Sequence, residues 1–90
     1  MKWFASYIDE LKEKLEITSD YGISKHLGVT RQNITRVRNG ETLNNKKCLQ
    51  IANDLGIDPL QVIATARAQN EKDQELKAFW IKVAKKYGNK

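Results

Sequence analysis

Between Ser19 and Gly40 the chain reads SDYGISKHLGVTRQNITRVRNG, and Gly28 divides it into two stretches of about two helical turns each. The aliphatic residues are Ile23, Leu27, Val29, Ile34 and Val37. Ile23 and Leu27 stand one turn apart, as do Ile34 and Val37, so each stretch has one apolar side. Ser19 or Asp20 can cap the first stretch. Thr30 can cap the second, with Val29 before it and Ile34 at the fourth helical position forming a hydrophobic staple. Asn39-Gly40 closes the second, because glycine accepts the left-handed conformation at a helix end. Ser24 is small where two such helices must approach closely.

The flanking segments are also helical in pattern. Trp3, Phe4, Tyr7, Ile8, Leu11 and Leu15 recur at three- and four-residue spacing and predict a helix over 3–15. A fourth helix is predicted from Asn45 to Leu55, with Cys48, Leu49, Ile51, Ala52 and Leu55 inward and Gly56 as terminator. Asp58 caps a fifth and Pro59 takes its first position, where the missing N–H costs nothing. That helix runs to about Gln69. Asn70 is the expected cap of a sixth, over 71–87, with Leu76, Phe79, Trp80, Val83 and Tyr87 on one face. No segment alternates with period two, so an all-α fold is expected. Its organisation is residues 1–69 as one unit and 70–90 as an added helix.

Charge narrows the function classes. The chain carries 16 basic and 11 acidic residues, unevenly placed. Lys25, Arg31, Arg36, Arg38, Lys46 and Lys47 face only Glu41 within residues 25–47, and after Glu75 there are lysines and no acid. Clustered positive charge suits a polyanionic partner. The C-terminal lysines have a plainer use, since cations favour a helix C-terminus. One cysteine excludes an intramolecular disulfide, and with a single histidine no zinc site is expected. Cys48 reads as a small core residue and His26 as a surface residue. No nucleophile, base and orienting group form a constellation, so neither enzyme activity nor a cofactor is expected. No run reaches the roughly 18 apolar residues of a membrane span, and acids at 9, 10 and 13 interrupt any leader, so the expectation is a cytoplasmic protein.

Two short helices joined by a glycine turn in a basic all-helical chain form the helix-turn-helix arrangement. With Ile34 and Val37 inward, Gln32, Thr35, Arg36 and Asn39 point outward and Arg31 projects from the N-terminal end. These are the side chains that read base edges in the major groove: Arg on guanine, Gln or Asn on adenine, a Thr methyl on thymine. The expected base-reading set is therefore Arg31, Gln32, Asn33, Thr35 and Arg36. Ser19, Tyr21 and Lys25, at the front and outside of the preceding helix, are expected on the DNA backbone, which that helix crosses. Thr30, Arg38 and Asn39 join the backbone set, although Arg38 could instead pair with an acid inside the protein.

"DYGISKHLGVTRQNITRVRNG", the "RNGET" exit and "LQIANDLGIDPLQVI" together resemble the Cro and lambda-repressor-like (XRE) family, over roughly residues 8–66. Ser24 stands where that family more often has alanine, Arg38 where it often has an acid, and Gly22 lies near a helix start. The sixth helix lies outside the family's usual five. The resemblance implies a lambda-repressor-like five-helix domain and a phage-type repressor or Cro-like transcriptional regulator. It also implies that Lys46 and Lys47 hold the DNA backbone. One reading helix covers few base pairs, so a homodimer on a palindromic operator is expected, with half-sites about 34 Å apart. The sixth helix would then either join two copies or fold back, against Trp3 and Phe4. An antitoxin using the same DNA-binding unit and gripping a toxin with that helix is the nearest rival. A protein-interaction module that has lost DNA binding is a third reading.

Overall fold

The computed structural model describes residues 3–88, and these form six helices with no strand among them. They are α1 (Ala5–Leu15), α2 (Asp20–Leu27), α3 (Arg31–Arg38), α4 (Asn45–Leu55), α5 (Pro59–Asn70) and α6 (Gln74–Gly88). The fold is all-α, as the periodicity predicts.

Side-chain caps set where the helices start. The oxygens of Ser19, Thr30, Asn44 and Asp58 accept from the N–H groups of Gly22, Asn33, Lys47 and Leu60. Each satisfies a donor that the first helical turn leaves free. Gly28 ends α2 at φ 72°, a left-handed backbone that costs least without a Cβ. Glu16 takes the same conformation at the end of α1, at φ 56°, without that advantage.

One core joins α1 to α5. Phe4, Tyr7, Ile8 and Leu11 meet Ile23, Leu27, Ile34 and Val37, then Cys48, Ile51, Val62 and Ala66. Burial pushes the Cys48 thiol up to about 11. The buried polar pair is satisfied internally: Tyr7 Oη lies 3.3 Å from Thr65 Oγ1, and that hydroxyl donates to Gln61 O at 2.8 Å. Phe4 N–H donates to Gln69 Oε1 at 2.8 Å, tying the start of α1 to the end of α5.

α6 folds back along α5, and Gly88 packs against the Gln61 side chain, so the two helices run antiparallel. Ala64 and Ala68 lie opposite Val62 and Ala66 on α5; they are buried too, as is Ala84 of α6. Small residues let the two axes approach closely. α5 is thus buried on two sides, which is why it lacks a single apolar stripe.

Four expectations are corrected. α1 starts at Ala5, so Trp3, expected on its apolar face, lies outside the helix and is 64% exposed. Leu49, expected inward, is exposed, because the α4 face that meets the core is narrow and runs through Cys48, Ile51 and Ala52. Asn70 does not cap α6; it is the last residue of α5, and its amide donates to Thr42 Oγ1. Asp73 takes the capping role, its Oδ1 accepting from Leu76 N–H. Finally, α6 folds back onto α5, not onto Phe4, which is sealed in a core that α6 does not enter.

Candidate nucleic-acid interface

α3 is docked through Ile34 and Val37, each 1% exposed. That anchorage turns Arg31, Gln32, Thr35 and Arg36 to solvent, with Asn33 half-buried at the edge and Asn39 exposed at the exit. Among the described residues, neither Arg31 nor Arg36 has a carboxylate partner.

The start of α2 is brought to the same place. A groove of about 320 Å³ runs between the helices, lined by Ser19, Asp20, Tyr21, Arg31 and Thr35. A second concavity beside it is lined by Thr30, Arg31, Gln32 and Thr35. The two share Arg31 and Thr35, and the exposed Tyr21 ring of the first lies beside two cations: Lys25 Nζ is 4.9 Å and the Arg31 guanidinium 5.4 Å from its centroid. Both cations sit on the negative ring face. Thr35 Oγ1 donates back to Arg31 O at 3.2 Å and leaves its methyl group to the surface.

Arg38 faces the other way. Its Nη2 donates to Asp9 Oδ1 at 2.8 Å and to Asp20 Oδ1 at 2.9 Å, and its Nε donates to Asp20 Oδ2 at 3.1 Å. Lys12 Nζ adds a bond to Asp20 at 3.2 Å. These bonds, the Arg38 one foremost, hold the Asp20 carboxyl down at about 2, and Arg38 lowers Asp9 as well. The guanidinium is spent on pinning the last turn of α3 to α1 and α2. The alternative of an internal ion pair is therefore the one realised, and the acid in the groove is neutralised from behind.

The two lysines at the start of α4 part company. Lys46 is exposed, and it shares a cavity of about 620 Å³ with Asn44, Asn45, Arg67 and Asn70. Lys47 donates its ammonium to Leu27 O, beside Gly28, and so caps the C-terminus of α2. Arg67, by its local sequence an ordinary solvated arginine, is brought beside Lys46 by the packing of α5 on α4. His26, read as a surface residue, places Nε2 2.7 Å from Asp54 Oδ2 and joins α2 to α4.

Compared with family models, with curated proteins and with solved structures, the chain finds no match. The residues themselves therefore carry the functional reading. They offer a donor-rich surface with two arginines that no carboxylate neutralises, and no cluster of His, Cys, Asp or Glu suited to a metal occurs among the described residues. No helix among the described residues is long and apolar enough to cross a membrane.

Proposed function

We propose that this protein is a sequence-specific, double-stranded DNA-binding transcriptional regulator of phage-repressor or Cro type. On this reading the fold is lambda-repressor-like, α2 and α3 are its helix-turn-helix, and two copies bind a palindromic operator. The observation that carries it is the division of cations on α3. Arg31 and Arg36 face solvent without carboxylate partners, while Arg38 is neutralised by Asp9 and Asp20. That asymmetry suits a helix entering a major groove, which meets phosphates and base edges with unpaired cations. Free guanidiniums then meet guanine edges or phosphates, and acids are kept from repelling the backbone.

In this assignment Arg31, Gln32 and Arg36 read bases, with Asn33 and Thr35 beside them. Ser19, Tyr21, Lys25 and Thr30 meet phosphates from the groove side, with Asn39 and Lys46 at the far edge. Lys47 meets them while also capping α2, and Arg38 positions α3 without touching DNA.

Selection of binding sites from random duplex DNA tests the proposal. A two-fold symmetric site is expected. Arg31→Ala, Gln32→Ala and Arg36→Ala should each cost about 1–3 kcal/mol on it and relax one position per half-site. Lys46→Ala should weaken all duplexes alike and make the salt slope shallower by about one per half-site. Wild-type binding by all three reading-helix variants, or no salt-sensitive duplex binding at all, would overturn the assignment.

A further inference from the structure

α6 leaves an apolar stripe in water after it has packed on α5. Leu76 and Phe79 are 49% and 53% exposed, and Trp80 and Val83 remain half-exposed beside them. Phe79 and Trp80 meet edge to face at 5.1 Å, so the stripe has a fixed aromatic centre. At about 100° per residue, Glu75, Lys82 and Lys86 form its border on the side away from α5. The charge along that border is polarised. Glu75 lies at the N-terminal end and the lysines toward the C-terminal end, where Lys85 stands as well. Positions 78 and 79 are Ala and Phe, so Glu75 has no cation three or four residues on, and Lys82 has no acid three or four residues back. Among the described residues neither of them forms an ion pair.

An apolar stripe with one acidic end and one basic end is complementary to itself when inverted. We propose that α6 pairs antiparallel with α6 of a second copy of this chain, about a two-fold axis passing near Phe79. In such a pairing the same border of each helix faces itself, so Glu75 comes beside the partner's Lys82 and Lys82 beside the partner's Glu75. Residue by residue, Leu76, Phe79, Trp80 and Val83 lose their water to the same stripe across the axis. The two helix dipoles also oppose each other favourably. The arrangement is isologous and closes at two copies. It rests on the homodimer of the reading above and names its surface. An interface of one 15-residue helix per copy belongs to the weak class, which a duplex carrying two half-sites would lock by raising effective concentration.

Sedimentation equilibrium of the full chain without DNA is the test, since it reads pairing apart from operator binding. Wild type should pass from monomer to dimer with rising concentration. Phe79→Ser should weaken the dimer at least about tenfold while keeping helical content. Glu75→Lys and Lys82→Glu should each weaken it about fivefold, since each sets like charges face to face. Both changes in one chain should restore the wild-type constant, and an equimolar mixture of the two single variants should form a heterodimer. Two results would overturn the proposal: a wild-type monomer up to about 1 mM, or a double exchange no better than its singles. A dimer that ignores every duplex would keep this inference and remove the DNA reading; a monomer that binds a single half-site would do the reverse.

Discussion

α3 and α6 are both helices with one side in the protein and one in water, and they finish their outer sides in opposite ways. α3 buries its two inward aliphatic residues almost completely and turns Arg31, Gln32 and Arg36 outward, the two arginines without carboxylate partners among the described residues. α6 buries only Ala84 fully and presents aromatic and aliphatic carbon outward. The inner side of α3 is defended by cap, staple and ion pairs, so its outer side chains are free to be chosen for recognition. α6 rests on small residues of α5, and its large apolar groups are left for another surface to cover. An outer face of donors suits a polyanion, the partner proposed above. An outer face of carbon calls for more carbon.

The contrast breaks most visibly at the anchors. Ile34→Ala should cost about 2–4 kcal/mol of stability, by transfer and cavity together, whereas Phe79→Ala should cost under about 0.5 kcal/mol in dilute monomer. Urea unfolding at low protein concentration compares the two, and equal losses would erase the difference between the helices.

Next in size is the pin at the end of α3. Asp20 titrates near 2 in the folded chain, against 3.8 for an unperturbed group. A depressed carboxyl stabilises the fold above its unfolded value, and that contribution is lost as pH falls from about 4 toward 2. Its side chain is 40% exposed, so solvent screening limits the effect to about 1 kcal/mol. Asp20→Asn should flatten the acid limb of the stability curve and lower its neutral plateau by that amount. An unchanged limb would mean that Arg38 is merely solvated.

The Tyr21 platform is smaller again. Tyr21→Ala should cost about 0.5–1 kcal/mol of duplex affinity, while Tyr21→Phe, which keeps the ring under Lys25 and Arg31, should cost little. If both variants weaken binding equally, the hydroxyl and not the ring face is what matters. Smallest is Glu16→Gly, which removes a Cβ from a left-handed helix end and, after glycine's entropy cost, should raise stability by under about 0.5 kcal/mol. Thermal melting reads it directly, and a fall would mean that the carboxylate makes up for the strain.

Much of this is legible in the sequence. Caps at Thr30 and Asp58 and terminators at Gly28 and Gly56 are local chemistry and stand where a single pass along the chain puts them, while the choice left open between Ser19 and Asp20 falls to Ser19. So do the inward aliphatics of α2 and α3, because short helices with one core-facing side follow a 3.6-residue period. Long-range choices were not legible. Periodicity alone puts Leu49 inside, but the width of the α4 contact is decided by α1 and α5. Asn70 and Asp73 are both good caps, and the amide of Asn70 is drawn off to Thr42, 28 residues away. Arg38 and Lys47 look alike as cations in a basic stretch. One finds two carboxylates and the other a helix carbonyl, and no spacing rule connects those partners.

Cys48 gives the molecule a built-in clock. Its thiol is fully buried and held near 11, so at neutral pH almost no thiolate exists and none meets solvent. An alkylating reagent can react only through openings of the core, and its rate counts those openings under native conditions. A duplex that binds the closed form alone would slow the clock by the factor 1 + [L]/Kd. If the proposed reading holds, duplex affinity would be written into the labelling half-life of one sulfur atom sealed in the core.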